Sequence, residues 1–444
     1  MTWLARLDPF LEAGTFEEQP PVYVREPGIR GWYRWVFGVP ELEASPVLQW
    51  MYGALLLGFY ATFNRWITSD NITVETLARG SHRCWPYYPD CGDLYFLSEL
   101  PDGYSQTTLY MVLFALMVGC VVAVWRRRWT LAHLLMMPLY VWAVLVMWVF
   151  TQEFTGNYHY FHLLYCTMFL LARSKLYFLR RAMVWTYLLA GTIKLDDGWM
   201  MATYFLNLKT GLPLFPDAVA PLVSHAIIPL EVGVALWLLS GNYLLQRFAL
   251  VMFLFFHLYS GILVNYMYPT MGTGPLLVLF GVSIRRMRTP FSLRNGLGWA
   301  VLLFVTVTHS WSFFLTGDTR RTLEANKYGL YMFEANHQCV STVTYHGKDG
   351  KVETKRDESR SARRRCDPFG YLFRMQQRHC GETSRYARLT WRFDHSINGG
   401  PFYRMVDEQD ACGLQYDPLR HNAWIKGPED GAPIVGYPVK NEYR

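Results

Sequence analysis

Charge is what this sequence has least of. Only 17% of its 444 residues are Asp, Glu, Lys or Arg, against about 25% in an average soluble domain. The net charge of +7 is not a nucleic-acid footprint. Its basic residues fall in short clusters between apolar runs, where they read as cytoplasmic-side anchors. Metal motifs are missing too. There is no H-E-x-x-H and no paired C-x-x-C, and His159 with His162 at i, i+3 is weak alone, so no metal is expected. The first residues carry Asp8, Glu12, Glu17 and Glu18 and no short apolar core before a small-residue cleavage site. No cleavable signal peptide is expected, and targeting falls to the first spanning helix. No inverted repeat of the kind that builds many transporters is visible.

What the chain has in quantity is apolar and aromatic surface: 52% hydrophobic residues, with 17 Trp, 29 Tyr and 28 Phe. Apolar runs at 48–67, 107–125, 131–150, 160–171, 182–194, 222–239, 248–264, 274–284 and 297–314 predict a polytopic α-helical membrane bundle of about nine spans. Residues 1–45 are polar and broken by proline, and within them 31–39 mixes Trp, Tyr and Arg as an interfacial segment does. Residues 200–220 are apolar but interrupted by Gly211, Pro213 and Pro216, which suits a re-entrant or interfacial stretch better than a span. From Gly317 onward the composition is that of a soluble domain. Alternating runs at 339–345 and 386–393 read as strands of a small α+β or mainly β fold, and the basic run 351–365 as a solvated loop. The expected organisation is an N-terminal cytosolic or interfacial segment (1–45), a transmembrane domain (46–316) and a luminal or extracellular domain (317–444).

Orientation follows from charge. Arg126–Arg128, Arg173 to Arg181, Arg247 and Arg285 to Arg288 share one face if every run crosses, and the positive-inside rule makes that face cytosolic. Cys120 and Cys166 then sit within spans. Cys84, Cys91, Cys339, Cys366, Cys380 and Cys412 all reach the opposite, oxidising side, as an even set of disulfide candidates. Cys84 and Cys91 are close enough to bridge locally, and a bridge from each to the outer domain is the other option. The sequon Asn71-Ile72-Thr73 reaches the same side and makes Asn71 a glycosylation candidate. An endoplasmic reticulum membrane is expected in a eukaryote, an inner membrane in a bacterium.

Several ionisable groups interrupt the apolar runs. Lys194 follows L-L-A-G-T-I and precedes Asp196, Asp197 and Trp199. Asn157, His159 and His162 head the fourth run, Glu231 lies in I-P-L-E-V-G-V, and His257 lies in the middle of F-L-F-F-H-L-Y. Such groups are functional candidates by default in a membrane. The plain alternatives are a lysine snorkelling beside an aromatic anchor and satisfied core histidines, the reading preferred for His162 and His309. A buried Glu231 must be neutral, paired or hydrogen-bonded.

Taken in order, these stretches resemble the vitamin K-dependent gamma-glutamyl carboxylases, within the horizontally transferred transmembrane domain superfamily. The resemblance rests on Asn157-Tyr158-His159, on the run from Ala190 to Trp199 (A-G-T-I-K-L-D-D-G-W), and on Phe256-His257. In the outer domain it rests on Thr344-Tyr345, Ser396-Ile397-Asn398 and Asp417-Pro418…Trp424. It departs from the family at His395, where a tryptophan or similar bulky residue is usual, and in the stretch after His257. The resemblance implies a carboxylase that converts peptidyl glutamate to gamma-carboxyglutamate, coupled to epoxidation of reduced vitamin K, a naphthohydroquinone, with carbon dioxide and oxygen as co-substrates.

The glutamate γ-proton is too weakly acidic for any side chain to remove, and the resemblance implies that oxygenation of the reduced quinone supplies a stronger base. It implies too that Lys194, at the place of the family's catalytic lysine, need only deprotonate the hydroquinone. For that its amine must be neutral, which burial favours and a paired Asp196 or Asp197 would oppose, so both carboxylates are expected to face elsewhere. His159 and His257 are implied to share the catalysis, and Asn157, His159, Trp199 and Glu231 to hold the quinone. The partners implied are membrane lipid, a Glu-containing protein or peptide and the quinone, with no nucleic acid. Two other readings stand beside this one. The first is a membrane quinone- or lipid-modifying enzyme of the same superfamily that carboxylates no protein. The second is a proton-coupled transporter or maturation scaffold that uses the same Lys, Glu and His as a relay.

Overall fold

The computed structural model describes residues 27–68, 83–88, 91, 104–150, 157–208, 211–282, 293–315, 317–325, 328–330, 335–359, 366–426 and 437–438. Asn71, the cluster Arg285 to Arg288 and residues 360–365 of the basic run lie outside them. The chain divides into two compact units. One takes in 1–85, 90–192 and 228–305, the other 86–89, 193–227 and 306–444.

The first unit is helical: α1 (Gly28–Val36), α2 (Val39–Ala44), α3 (Pro46–Thr68), α4 (Tyr104–Trp125), α5 (Trp129–Leu145), α6 (Asn157–Leu171) and α7 (Lys175–Ile193). Two short helices of the second unit follow, α8 (Asp197–Met200) and α9 (Thr203–Leu206). Then come α10 (Ala220–Pro229), a wider π-type turn (Leu230–Val234), α11 (Ala235–Trp237), α12 (Tyr243–Leu263), α13 (Met267–Phe280) and α14 (Gly296–Ser310).

Five described helical stretches are long and apolar enough to cross a membrane: Thr108–Trp125, Trp129–Val149, Asp217–Trp237, Tyr243–Leu263 and Gly296–Phe314. The protein is thus a helical membrane protein, but the sequence expectation of about nine spans is too high. At about 1.5 Å per residue, α6 with 15 residues and α13 with 14 reach only about 21–23 Å, short of a hydrocarbon core of about 30 Å. Lys175, Arg180 and Arg181 occupy the first half of α7, and Gln49, Asn64 and Arg65 dilute α3. Short apolar runs look alike in sequence whether lipid or protein covers them. Here α6 is almost wholly buried, whereas α4 turns Met111, Phe114 and Val121 outward.

Charges fasten the tight turn between α6 and α7. Glu41 accepts hydrogen bonds from the backbone N–H groups of Ser174 (2.8 Å) and Lys175 (2.6 Å), capping the start of α7. The Lys175 amine donates to the carbonyls of Phe169 (2.5 Å) and Ala172 (2.9 Å), closing the end of α6. An anion at a helix N-terminus and a cation at a C-terminus each oppose the local dipole charge.

The second unit is built on an antiparallel sheet of order β2-β1-β3-β4-β5, from β1 (His337–Gly347), β2 (Val352–Ser359), β3 (Tyr386–Ile397), β4 (Tyr403–Glu408) and β5 (Tyr437–Pro438). Alternation along β1 and β3 sends Cys339, Val343, Tyr345, Leu389, Trp391 and Phe393 into one core with Tyr371, Leu372 and Met375 of α16 (Pro368–His379). Asp367 caps that helix through the Phe369 N–H (3.1 Å), and Pro368 begins it. The expected strands are present, and the fold is α+β. The solvated loop expected over the basic run is replaced, over 352–359, by β2. Charge hid the strand. Glu353 pairs with Lys355 and Glu358 with Arg356 along an exposed sheet edge, where charge blocks further strand addition.

All six cysteines expected on the oxidising side are bridged: Cys84–Cys91, Cys339–Cys366 and Cys380–Cys412. The first bridge is the local one of the two options. Cys120 and Cys166 are free and buried.

Candidate functional site

Helix α7 ends at Ile193, and the next residue, Lys194, is 1% exposed. Its amine nitrogen stands 5.1 Å from the centre of the Trp199 ring, within cation–π range for a charged lysine. The indole is itself fixed. Its N–H donates to the Ser224 carbonyl (3.0 Å), and its ring stacks on Tyr204 and meets Phe205 edge-on.

Asp196 starts α8 as its N-cap, and its Oδ1 accepts from the Trp199 N–H at 3.1 Å. The same oxygen takes the Arg320 guanidinium at 2.6 Å, and Oδ2 is buried without a hydrogen-bond partner among the described residues. Burial raises the Asp196 carboxyl above the usual carboxylate range, against the opposing pull of Arg320. Asp197 is exposed. Among the described residues the ion pair of Asp196 is with Arg320.

The stretch that carries Lys194 is tied to the sheet of the same unit. Asn336 donates to the Tyr204 carbonyl (2.5 Å), and Asn207 donates to the Asn398 carbonyl (3.0 Å). Asn398 has φ +51° and its Oδ1 accepts from the Asn336 N–H (2.9 Å). Gly198 lies close under this side chain: a Cβ there would stand 2.7 Å from the Asn398 amide nitrogen, which would have to shift. Ser396-Ile397-Asn398 is therefore the sheet's fastening to the lysine segment. His395, where the resembled family is bulky, stacks on His337 with 5.1 Å between ring centres and one hydrogen bond of 2.9 Å. Two imidazoles fill the volume of a large aromatic, and burial, with Arg321 adding to it, holds His395 down to about 3.

Further along, Asp417-Pro418…Trp424 closes round a buried carboxylate. Glu324 accepts from the N–H (2.7 Å) and side-chain amide (2.8 Å) of Asn422 and pairs with His421 Nδ1 (2.8 Å). That bond to Glu324 raises His421.

Four other candidates lie in the helical unit. Asn157 opens α6, and its Oδ1 accepts from the Tyr268 hydroxyl at 2.6 Å. His159, two residues further, shares a 3.2 Å hydrogen bond through Nδ1 with Thr62 and packs on Trp66 and Tyr158. Asn157 Nδ2 and His159 Nε2 are buried without a partner among the described residues. His257 bonds Tyr187 through Nε2 (2.5 Å), and its ring fills a slot at Gly272, where a Cβ would stand 2.4 Å away. Its Nδ1 is likewise unpartnered among the described residues. Glu231 is 2% exposed in the π-type turn. That turn packs on Gly191, whose added Cβ would stand 2.6 Å from Val232 and 3.3 Å from the Glu231 Cβ.

Within this unit the structure makes separate contacts of these candidates: Asn157 with Tyr268, His159 with Thr62, His257 with Tyr187, and Glu231 beside Gly191. His162 and His309 bond the backbone carbonyls of Leu55 (2.9 Å) and Leu330 (3.1 Å). Buried polar atoms without partners are rare, which marks Asn157, His159 and His257 among the described residues. The sequence did not single out Arg320, Asn336, Asn207 or His337. The one local signal was Asp318 two residues before Arg320, an N-cap spacing. Comparison of the chain with protein-family models, with curated proteins and with solved structures finds no match.

Proposed function

We propose that this protein is a membrane carboxylase that converts peptidyl glutamate to gamma-carboxyglutamate, coupled to epoxidation of a reduced naphthoquinone of the vitamin K type. The observation that carries the reading is the lysine segment itself. Lys194 is a buried amine at a helix end, beside an immobilised tryptophan, and the neighbouring Asp196 is engaged by Arg320.

Burial favours the neutral amine, the form that accepts a proton from a phenolic hydroxyl. The reduced quinone, when bound, supplies the reaction with oxygen that yields a base strong enough for the glutamate γ-carbon. Trp199 offers a flat apolar face. In the helical unit, taken by itself, Asn157 Nδ2, His159 Nε2 and His257 Nδ1 are buried polar atoms without a partner among the described residues. The resemblance assigns Asn157 and His159, with Glu231, to the quinone and His257 to the catalysis. Five apolar spans provide the lipid-facing surface through which an isoprenoid tail would enter, and exclusion of water protects a strong base. Three disulfides fit a compartment that is oxidising where they form.

The experiment is incorporation of carbon-14 bicarbonate into a Glu-containing peptide by membranes bearing the chain, with reduced vitamin K and oxygen. Label that requires both the quinone and Lys194 supports the proposal. Epoxide without label identifies a quinone-modifying enzyme that carboxylates no protein, and neither product refutes both readings.

A further inference from the structure

The stretch that follows Lys194, described over 195–208 and 211–216, makes its polar contacts with the rest of the second unit. Asp196 pairs with Arg320 of α15 (Thr319–Thr322) at 2.6 Å. The Tyr204 carbonyl accepts from Asn336, and the Asn207 amide donates to the carbonyls of Asn398 and Thr203. The large side chains left exposed between those contacts are apolar: Leu195 is 60% exposed, Met201 61%, Leu206 43% and Leu214 77%. One such residue needs no explanation, but four within one short segment do.

The next element shows what lies against them. One of the stretches long and apolar enough to cross a membrane begins at Asp217, and the segment is fastened along its start. The Trp199 indole donates to the Ser224 carbonyl at 3.0 Å, seven residues past Asp217 and so about 10 Å along a helix. At the other end the chain comes back to Asp217 itself: a Cβ on Gly211 would stand 3.1 Å from Asp217 Oδ1. The segment therefore runs beside the first turns of a crossing helix. An in-plane element buries its apolar face to a similar depth, about 5–10 Å.

We propose that residues 195–208 and 211–216 form an interfacial membrane-binding segment. Leu195, Met201, Leu206 and Leu214 seat among the phospholipid acyl chains of the leaflet in which the Asp217 span begins, and the exposed carboxylates of Asp197 and Asp217 stay at the headgroups. Lipid is the occupant because the segment is continuous with the span and held at its entry, where acyl chains are already present. Leu222, inside that span, is exposed in the same way. Beneath the segment, Trp199 stacks on Tyr204 and meets Phe205 edge-on, the aromatic composition of a membrane–water boundary. This placement does not depend on what Lys194 does.

The test uses the full-length chain in phosphatidylcholine vesicles. Met201→Cys, Leu214→Cys and, on the exposed β1–β2 turn as a control, Lys348→Cys each carry a bimane label. Cys120 and Cys166 are buried and the other six cysteines are bridged, so the label goes to the new thiol. Doxyl groups near the glycerol end of the acyl chains are expected to quench the first two labels at least about threefold more than the control, and iodide on both sides of the membrane the reverse. A label quenched by iodide and not by lipid puts the face in water, and one shielded from both puts protein over it. Either result, at either position, overturns the proposal. The unmodified chain guards against a label that seeks lipid by itself. With a phosphatidylcholine that bears a photoactivated diazirine in the same part of its chain, adducts are expected on peptides of 195–216 and not on those of the β1–β2 turn. Absence of adducts from the segment overturns the proposal whatever the labels report. Neither arm reads activity, so failure of the carboxylase reading leaves the result standing.

Discussion

At the scale of single residues, Lys194 separates a base from an anchor. As a base, Lys194→Ala should abolish epoxidation and carboxylation together, because both need the same deprotonation. Lys194→Arg should fail equally, since a guanidinium keeps its proton. As a snorkelling anchor, Arg would be tolerated, and Ala would cost about 1 kcal/mol of stability with activity following the folded fraction. Epoxide formed per folded molecule of each variant is the measurement. Gly272 is a second residue-scale case. A methyl group there meets the His257 ring at 2.4 Å, so Gly272→Ala should destabilise the helical unit by about 1–3 kcal/mol. Thermal unfolding in detergent checks it, and an unchanged midpoint would show that the slot is loose. Lysine, histidine and glutamate in apolar runs were legible in the sequence because their cost in a membrane does not depend on knowing the fold. Arg320 was not, because its partner is 124 residues away and a lone arginine in a polar stretch carries no signal.

At the scale of elements, the same contrast explains which parts of the fold could be read. Alternation revealed β1 and β3, since each buries one face against α16. It failed at β2, which buries almost nothing and so has no pattern to show. Hydropathy revealed helices but not their surroundings, and α6 and α13 were read as spans although protein covers them. The stacked pair of His337 and His395, a feature of strand pairing, makes a testable element. His395 is lowered in the folded state to about 3, against about 6.5 unfolded. The unfolded chain therefore binds the proton first. The sheet should lose stability as pH falls below about 6.5, by up to about 1.4 kcal/mol per pH unit, until about pH 3. His421 has the opposite sign. Raised by Glu324, it contributes fully below about pH 6.5, and that contribution is lost as pH rises through its folded value. Pulse proteolysis in urea, read at peptides of β3, should show both slopes. His395→Phe should flatten the acid one and His421→Gln the alkaline one. An acid slope unchanged in His395→Phe would assign it to other groups.

At the scale of the whole molecule, the argument turns on sidedness. Redox chemistry puts the two disulfides of the sheet, Cys339–Cys366 and Cys380–Cys412, on an oxidising face, and the positive-inside rule puts Arg126 to Arg128 on the cytosolic one. Five crossings alone, counted along the chain, return the segment after α14 to the side of Arg126 to Arg128, so the two rules together require an odd number of further crossings. Their joint expectation is that the turn after α4 and the β1–β2 turn lie on opposite sides of the membrane. Arg126 and Lys348 are both exposed at those turns, so Arg126→Cys and Lys348→Cys report sidedness without touching a buried group. A membrane-impermeant maleimide applied to sealed vesicles should label one of the two and reach the other only after permeabilisation, whichever organelle or cell supplied the membrane. Labelling of both before permeabilisation would place the basic clusters and the disulfide-bearing sheet on the same side. The proposed chemistry would then lose its footing, because a reducing cytosol does not sustain the two disulfides, Cys339–Cys366 and Cys380–Cys412, of the sheet that fastens Lys194.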